Sequence, residues 1–338
     1  MDPGHAVFEV SYETGTAGDW LNGDPGVLAV FEFGASPLKS TEPRHVPVPL
    51  EPLDRPERLE VWRARGPFET GQLHHLRFVR GVDFTMGHIP LDLRQYKDMR
   101  EASRLAYEAL QDFLGRSPHH WPLKIWNYIP GINQGSGDGE CYRQFCVGRA
   151  EALAAGYGDQ PPMPAATAIG SPAGEPALQV YFLAGALPGL NVENPRQVNA
   201  WQYPRQYGPR SPLFSRGTVL QGNGDTQFFI SGTASVVGHQ SQHDTAGEQI
   251  RESLRNVEAL LHEARRLTGR RFNTDSGAGV LKVYVRQASE LASIRAVLDQ
   301  GWPASLNKLC LRGDICRGDL LTEVDGIIPG LPAIAADD

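Results

Sequence analysis

Short apolar runs separated by proline- and glycine-rich turns fill the amino-terminal quarter of the chain. Their alternation predicts strands at Ala6–Tyr12, Val27–Phe33, Leu59–Ala64 and His75–Val79. Between Ser36 and Pro56 six prolines interrupt the pattern, so this segment is expected to be a surface excursion. The period then changes. Met99, Ala102, Ala106, Ala109, Leu110 and Phe113 share one face of a helix predicted over Tyr96–Leu114. Leu123–Ile129 reads as a buried strand and Cys141–Ala155 as a second helix.

The carboxy-terminal half repeats the order. Strands are expected at Leu178–Leu183 and Gln227–Gly232, then a long helix over Ala246–Leu267 with Ile250, Leu254, Val257, Leu260 and Leu261 on its apolar face. Thr245 and Glu248 form a capping box at its start. A strand at Val280–Arg286, a helix at Ala288–Leu298 and an antiparallel pair, Lys308–Cys316 and Leu320–Ile328, complete the half, with Arg317-Gly318-Asp319 as the turn of the pair. Two successive units of strands, helix, strand and helix point to a duplicated α+β module: mixed β-sheets with helices packed on one face. The expected division is at 160/161, giving units over 1–160 and 161–338.

The chain has 338 residues, 41% hydrophobic and 21% charged, enough for one large or two medium cores. No run approaches the roughly 18 apolar residues of a membrane helix, and Met1-Asp2-Pro3-Gly4-His5 lacks the opening of a signal peptide. A cytoplasmic protein without membrane partners is expected. A net charge of −7 with dispersed cations argues against nucleic acid, and any anionic ligand must be held by a local arginine cluster. Cys141, Cys146, Cys310 and Cys316 do not follow a zinc spacing and read as reduced, mostly buried thiols. His239 and His243 have the spacing of helical metal ligands but precede a helix cap, and no third ligand accompanies them. No metal is expected.

Four clusters carry candidate chemistry. Tyr142, Arg143 and Arg149 follow the glycine-rich stretch 131–139, where a guanidinium fork can grip a carboxylate, or where an exposed helix simply carries salt bridges. The segment 194–212 holds four prolines with Trp201, Tyr203, Tyr207 and Arg210, and Arg216 follows; such a stiff loop suits a pocket wall. Ile230-Ser231-Gly232-Thr233-Ala234-Ser235 is a strand turning into small residues, which permits close approach of a ligand. The last cluster carries Lys308, Cys310, Arg312, Cys316, Glu323 and Asp325. A carboxylate inside a strand is either a structural ion-pair partner or an acid raised by burial.

Ile230-Ser231-Gly232-Thr233, Lys282-Val283-Tyr284-Val285 and Leu321-Thr322-Glu323-Val324-Asp325-Gly326 together resemble the RidA/YjgF superfamily, whose fold is chorismate mutase-like. Lys308 stands where that superfamily usually has its carboxylate-binding arginine. The longer motifs Leu123–Asn133, Tyr142-Arg143-Gln144-Phe145, Val147-Gly148-Arg149, Pro164–Gly170, Glu193-Asn194-Pro195-Arg196-Gln197 and Ser231–His239 resemble the chorismatases, over roughly residues 120–328.

The resemblance implies two RidA/YjgF-like modules, the first degenerate and the second carrying the catalytic residue. It implies a cofactor-independent, metal-free enzyme that splits chorismate into pyruvate and a ring carboxylic acid, as a monomer or small homo-oligomer. Glu323 matches the family's catalytic glutamate. Arg143, Arg149, Arg210, Arg216 and Lys308 are candidate anchors for the substrate's two carboxylates, and Tyr203 and Tyr207 would orient the ring.

Members that aromatise the ring to 3-hydroxybenzoate, some also to 4-hydroxybenzoate, carry a cysteine seven residues before the glutamate, and Cys316 has that spacing. Thr233-Ala234 resembles instead the hydrolytic members, which release a dihydroxycyclohexadienoate. The thiol carries more weight, because it can shuttle a proton, whereas Ala234 only adjusts space. The alternatives are the hydrolase and, outside catalysis, a RidA-like small-molecule-binding protein.

Overall fold

The computed structural model describes residues 8–158, 161–172, 174, 176–222, 226–272, 274 and 277–331. The first strands, β1 (Phe8–Glu13), β2 (Val27–Phe33), β3 (His45–Val48) and β4 (Leu59–Ala64), form a four-stranded sheet ordered β1-β4-β2-β3, with helix α1 (Ala17–Gly23) after β1. The predicted spans of β2 and β4 are the observed ones. Of the strand expected at Ala6–Tyr12, residues 6 and 7 lie outside the described residues. The proline-rich stretch is not a surface excursion: β3 runs through it, and Val46, Val48 and Leu50 are buried. Pro47 is tolerated because β3 is an edge strand, where a missing N–H breaks no central ladder.

A second sheet follows. It is built from β5 (Glu69–Leu73), β6 (Leu76–Arg80), β7 (Phe84–Asp92), β8 (Trp121–Pro130), β9 (Ala165–Ser171) and β10 (Ala177–Gly185) in the order β5-β6-β7-β10-β8-β9, with a short strand from late in the chain, β18 (Asp314–Ile315), added beside β9. Helix α2 (Met99–Arg116) lies between β7 and β8 and α3 (Cys141–Tyr157) between β8 and β9. The third sheet uses β11 (Leu190–Val192), β12 (Gly217–Gln221), β13 (Thr226–Ala234), β16 (Val280–Val285), β17 (Asn307–Arg312) and β19 (Thr322–Pro329), ordered β11-β12-β13-β19-β16-β17. Its helices are α4 (Ala246–Thr268) and α5 (Leu291–Gly301), and the remaining small strands are β14 (Val236–Val237) and β15 (Gln240–Ser241).

Strand for strand, the two larger sheets share one topology. In each, the last strand inserts between earlier ones, antiparallel to both neighbours, and a helix links the parallel pair β8–β9 or β16–β17. The duplication expected from element order is therefore present in the topology of an α+β fold. The expected division at 160/161 is not where the sheets part: β9 and β10 belong to the first of the two, so the change falls between Gly185 and Leu190.

Helices α2 and α3 cover the outer face of the second sheet, and α4 and α5 that of the third. Of the capping box expected at the start of α4, one half forms: Thr245 accepts from Glu248 N, while the Glu248 side chain accepts from the Thr245 hydroxyl instead of its backbone N–H. Between the sheets lies an aromatic-rich core that also takes in Phe31 and Trp62 of the first sheet. The expected terminal hairpin is absent. β17 pairs with β16, β18 pairs with β9 of the other sheet, and β19 runs between β13 and β16. Apart from its last residue, β19 is buried throughout, which suits a central strand and not the half-solvated arm of a hairpin. The 313–321 segment is thus a bridge between the two modules.

Candidate active site

The site is built around an irregularity in β13. Ile230 pairs with Gly326 and Thr233 with Val324, so Ser231 and Gly232 oppose the single residue Asp325, a β-bulge. The bulge is pinned: Ser231 N donates to Arg216 O (3.0 Å), Ser231 Oγ donates to Ser215 O (2.6 Å), and Ala166 N donates to Ser231 Oγ (2.9 Å). It brings Gly232 beneath the Glu323 carboxyl so closely that an added Cβ would lie 2.9 Å from the carboxyl carbon and collide with Oε1. Glycine is required there for space.

Glu323 is 4% exposed. Burial, helped by the Asp325 carboxylate, pushes its carboxyl up to about 8, against the opposing pull of Lys124, Arg216 and Arg317. Two residues on, Asp325 is buried and Oδ2 accepts from Thr167 Oγ1 (2.7 Å), Trp126 Nε1 (3.0 Å) and Tyr284 OH (3.2 Å). Lys124 Nζ donates to Ile230 O (2.6 Å) and Thr167 Oγ1 (2.8 Å), with Asp325 Oδ2 3.7 Å away.

A cavity of about 490 Å³ opens over Glu323 and Gly232. Arg216 reaches it with Nη2 donating to Tyr203 OH (2.7 Å) and Val198 O (2.9 Å). Tyr203 and Tyr207 stand with ring centroids 5.5 Å apart, and the Arg317 guanidinium lies over both, 4.0 Å from the Tyr207 centroid and 5.1 Å from that of Tyr203. Arg317 Nη1 donates to His239 O (2.9 Å). Arg143, steadied by Glu140 at 2.9 Å, and Arg210 border the mouth. Cys316 and Ala234 complete the wall near the acid. The protein around Cys316 and the nearby Glu323 carboxyl push its thiol up to about 12, so at neutral pH it keeps its proton.

Eight expected site residues therefore meet in one cavity: Glu323, Cys316, Arg143 and Arg210, with Tyr203, Tyr207, Arg216 and Ala234. Two do not. Arg149 is buried beneath α2 and α3, its guanidinium 5.2 Å from the Phe145 ring centroid and 5.9 Å from that of Tyr107. Six residues along the helix from Arg143, it lies about 120° further round the axis, on the face turned towards Tyr107 of α2 and away from the cavity. Lys308 Nζ donates to Pro303 O (2.6 Å) and lies outside the cavity lining, on the edge strand β17.

The sequence reading missed Arg317, taken as a turn residue, and Gln197, whose buried Oε1 faces no donor beside the cavity. His239 and His243 serve other partners: Tyr207 OH lies 3.1 Å from His239 Nδ1 and Glu252 3.4 Å from His243 Nε2. Among the described residues no three His, Cys, Asp or Glu side chains are grouped to hold a metal.

A family profile described as "Chorismatase FkbO/Hyg5-like, N-terminal" matches residues 60–184. A chorismatase of Streptomyces rapamycinicus is 36% identical over 278 residues, 80% of this chain and 81% of that protein. The chain belongs to the chorismatase family.

A 3-hydroxybenzoate synthase of Streptomyces hygroscopicus is 34% identical over 281 residues, 80% of this chain and 81% of that one. A solved chorismatase structure superposes with a TM-score of 0.83 at 30% identity, covering 97% of this chain and 99% of that one. The chain is an enzyme of this family, with the α+β architecture that the family structure shares. No helix among the described residues is long and apolar enough to cross a membrane.

Proposed function

We propose that the enzyme splits chorismate into pyruvate and 3-hydroxybenzoate, with Glu323 as general acid. The observation that carries this is the meeting of a buried, proton-holding Glu323 with the Cys316 thiol and the guanidiniums of Arg216 and Arg317 at one cavity. Chorismate carries two carboxylates, and in this reading the Arg216 and Arg317 guanidiniums beside the tyrosines bind them. Glu323 delivers its proton to the methylene carbon of the enolpyruvyl ether, which leaves an oxocarbenium ion on the side chain. General-acid help of this kind is worth about 10²–10⁴-fold.

The 4-hydroxyl oxygen then attacks ring carbon C3 as the C3–O bond to the side chain breaks; pyruvate leaves and the hydroxyl proton returns to Glu323. Opening of the resulting epoxide at C4, with the C3 proton lost and one regained on oxygen, gives the aromatic 3-hydroxybenzoate. Chorismate divides into hydroxybenzoate and pyruvate with no net water, oxidant or reductant. Cys316, protonated and beside Glu323, supports a proton-relay role in that second stage. Ala234, which lines the cavity, favours a second reading, hydrolysis to the dihydroxycyclohexadienoate, because Thr233-Ala234 resembles the hydrolytic members.

Glu323→Gln tests the acid role. It keeps the shape and removes the transferable proton, so turnover should fall to background while chorismate still binds in a calorimetric titration. Turnover near the parent rate would refute the assignment.

A further inference from the structure

Behind Glu323, away from the cavity, four charged side chains are buried in one connected group drawn from all three sheets. Asp325 comes from β19, Lys124 from β8, Lys282 from β16 and Glu60 from β4. Lys282 Nζ bonds both oxygens of Glu60 (3.0 and 3.3 Å) and lies 3.9 Å from Asp325 Oδ1. Trp62 Nε1 donates to Glu60 (2.8 Å). Thr167 joins the other half, donating to Asp325 and accepting from Lys124. Burial lowers Lys124 to about 8, so below that pH two ammonium groups meet two carboxylates and the group is balanced without Glu323. A buried ion group of this kind is weak as a source of stability, since desolvation offsets much of its attraction.

Asp325 Oδ1 accepts no hydrogen bond from the described residues. Oδ2 takes all three hydrogen bonds while Oδ1 has only the Lys282 ammonium 3.9 Å away, so the carboxylate is held rigidly with its negative charge on the strand face that carries Glu323. Lys124 is fixed through Ile230 O, the residue that begins the bulge under the acid. One neighbour thus opposes ionisation of Glu323 and the other favours it, each fixed by hydrogen bonds to main chain or to Thr167.

We propose that Asp325 and Lys124, backed by the Lys282–Glu60 pair, are positioning residues that set the charge around Glu323, Asp325 holding its carboxyl in the acid form and Lys124 limiting that effect. The proposal rests on Glu323 being the general acid. It gives the amino-terminal sheet, which no motif implicated, a part in catalysis through Glu60. The groups facing Glu323 are Asp325 from its own strand, Lys124 from β8, Arg216 ahead of β12, and Cys316 and Arg317 from the 313–321 bridge. Only the first two belong to the buried group, and they carry opposite signs. Removing them must therefore move the acid in opposite directions.

The test is the basic limb of the kcat/KM pH profile, which reports the free enzyme's acid. Asp325→Asn is isosteric and should move the limb to lower pH by about one unit, a loss of about tenfold at pH values above it. Lys124→Met should move the limb to higher pH. Glu60→Gln, far from the cavity and isosteric, leaves Lys282 to Asp325 alone and should give a smaller downward shift; it keeps the test available if the first two variants do not fold. A purely structural role would lower Tm or kcat without opposed shifts. Limbs of folded variants that coincide with the parent's, or that move against these signs, overturn the proposal. If that happens while Glu323→Gln is inactive, the acid assignment stands and the charge-setting role alone falls; an active Glu323→Gln removes both.

Discussion

The Glu323 carboxyl occupies the space that a side chain on Gly232 would need. A Cβ there would lie 2.9 Å from the Glu323 carboxyl carbon and 3.4 Å from Thr167 Cγ2, closed in by both sheets. Gly232→Ala should therefore displace the acid while leaving the arginines in place. Overpacking of this size costs about 1–3 kcal/mol, so the protein should still fold. kcat should fall by about 10²-fold or more, with KM changed far less. Steady-state kinetics on the folded variant check this, and an unaltered kcat would mean that the carboxyl position is not critical.

Cys316→Val should turn the product mixture towards the dihydroxycyclohexadienoate. The substitution keeps a similar volume and removes the proton that the thiol holds at neutral pH, where it is pushed up to about 12. Chromatography of the products reads the ratio directly. A ratio identical to the parent's would show that the thiol does not direct the ring chemistry.

Arg317→Ala removes a guanidinium stacked 4.0 Å from the Tyr207 centroid and held by His239 O. A charge-assisted contact to a substrate carboxylate is worth about 1.5–3 kcal/mol, so KM for chorismate should rise by about tenfold or more. Arg317→Lys should recover only part of it, since a point charge cannot replace the stacked fork. Arg149→Met serves as the contrast: Arg149 touches Tyr107 and Phe145, not the cavity, so kcat/KM should stay within about threefold of the parent.

Stability should also respond to Glu323. Its folded value near 8 lies above the ordinary 4.5, so the unfolded chain loses this proton first as pH rises. The fold accordingly loses stability between about pH 4.5 and 8, by a few kcal/mol in order of magnitude. Glu323→Gln lacks that penalty. Its Tm should exceed the parent's at pH 8.5, with the gap closing towards pH 5; equal Tm values at both pH values would mean that Glu323 is not held protonated.

Much of this was legible in the chain because the periodicities are strong. The helix over 246–267 was placed within one residue, since its capping pair and apolar face agree. β7 was missed. Buried on both faces, and interrupted by Gly87 and Pro90, it shows no alternation. The 313–321 bridge was misread because a turn-like Arg317-Gly318-Asp319 between two strands looks local, while the pairing that decides it joins Ile315 to Ile169. The same long-range pairing sets Arg317 beside the tyrosines, which is why that arginine escaped notice and Lys308 did not. Glu60 and Asp325 belong to strands distant in sequence, and no spacing rule links them.

The most direct measurement is an incubation of the purified protein with chorismate, with nothing else added, its products resolved by chromatography and mass. Equimolar pyruvate and 3-hydroxybenzoate are expected, both absent with Glu323→Gln. Pyruvate accompanied by the non-aromatic diol would contradict the proposed product, and no pyruvate from the folded protein would contradict the reading of the site itself.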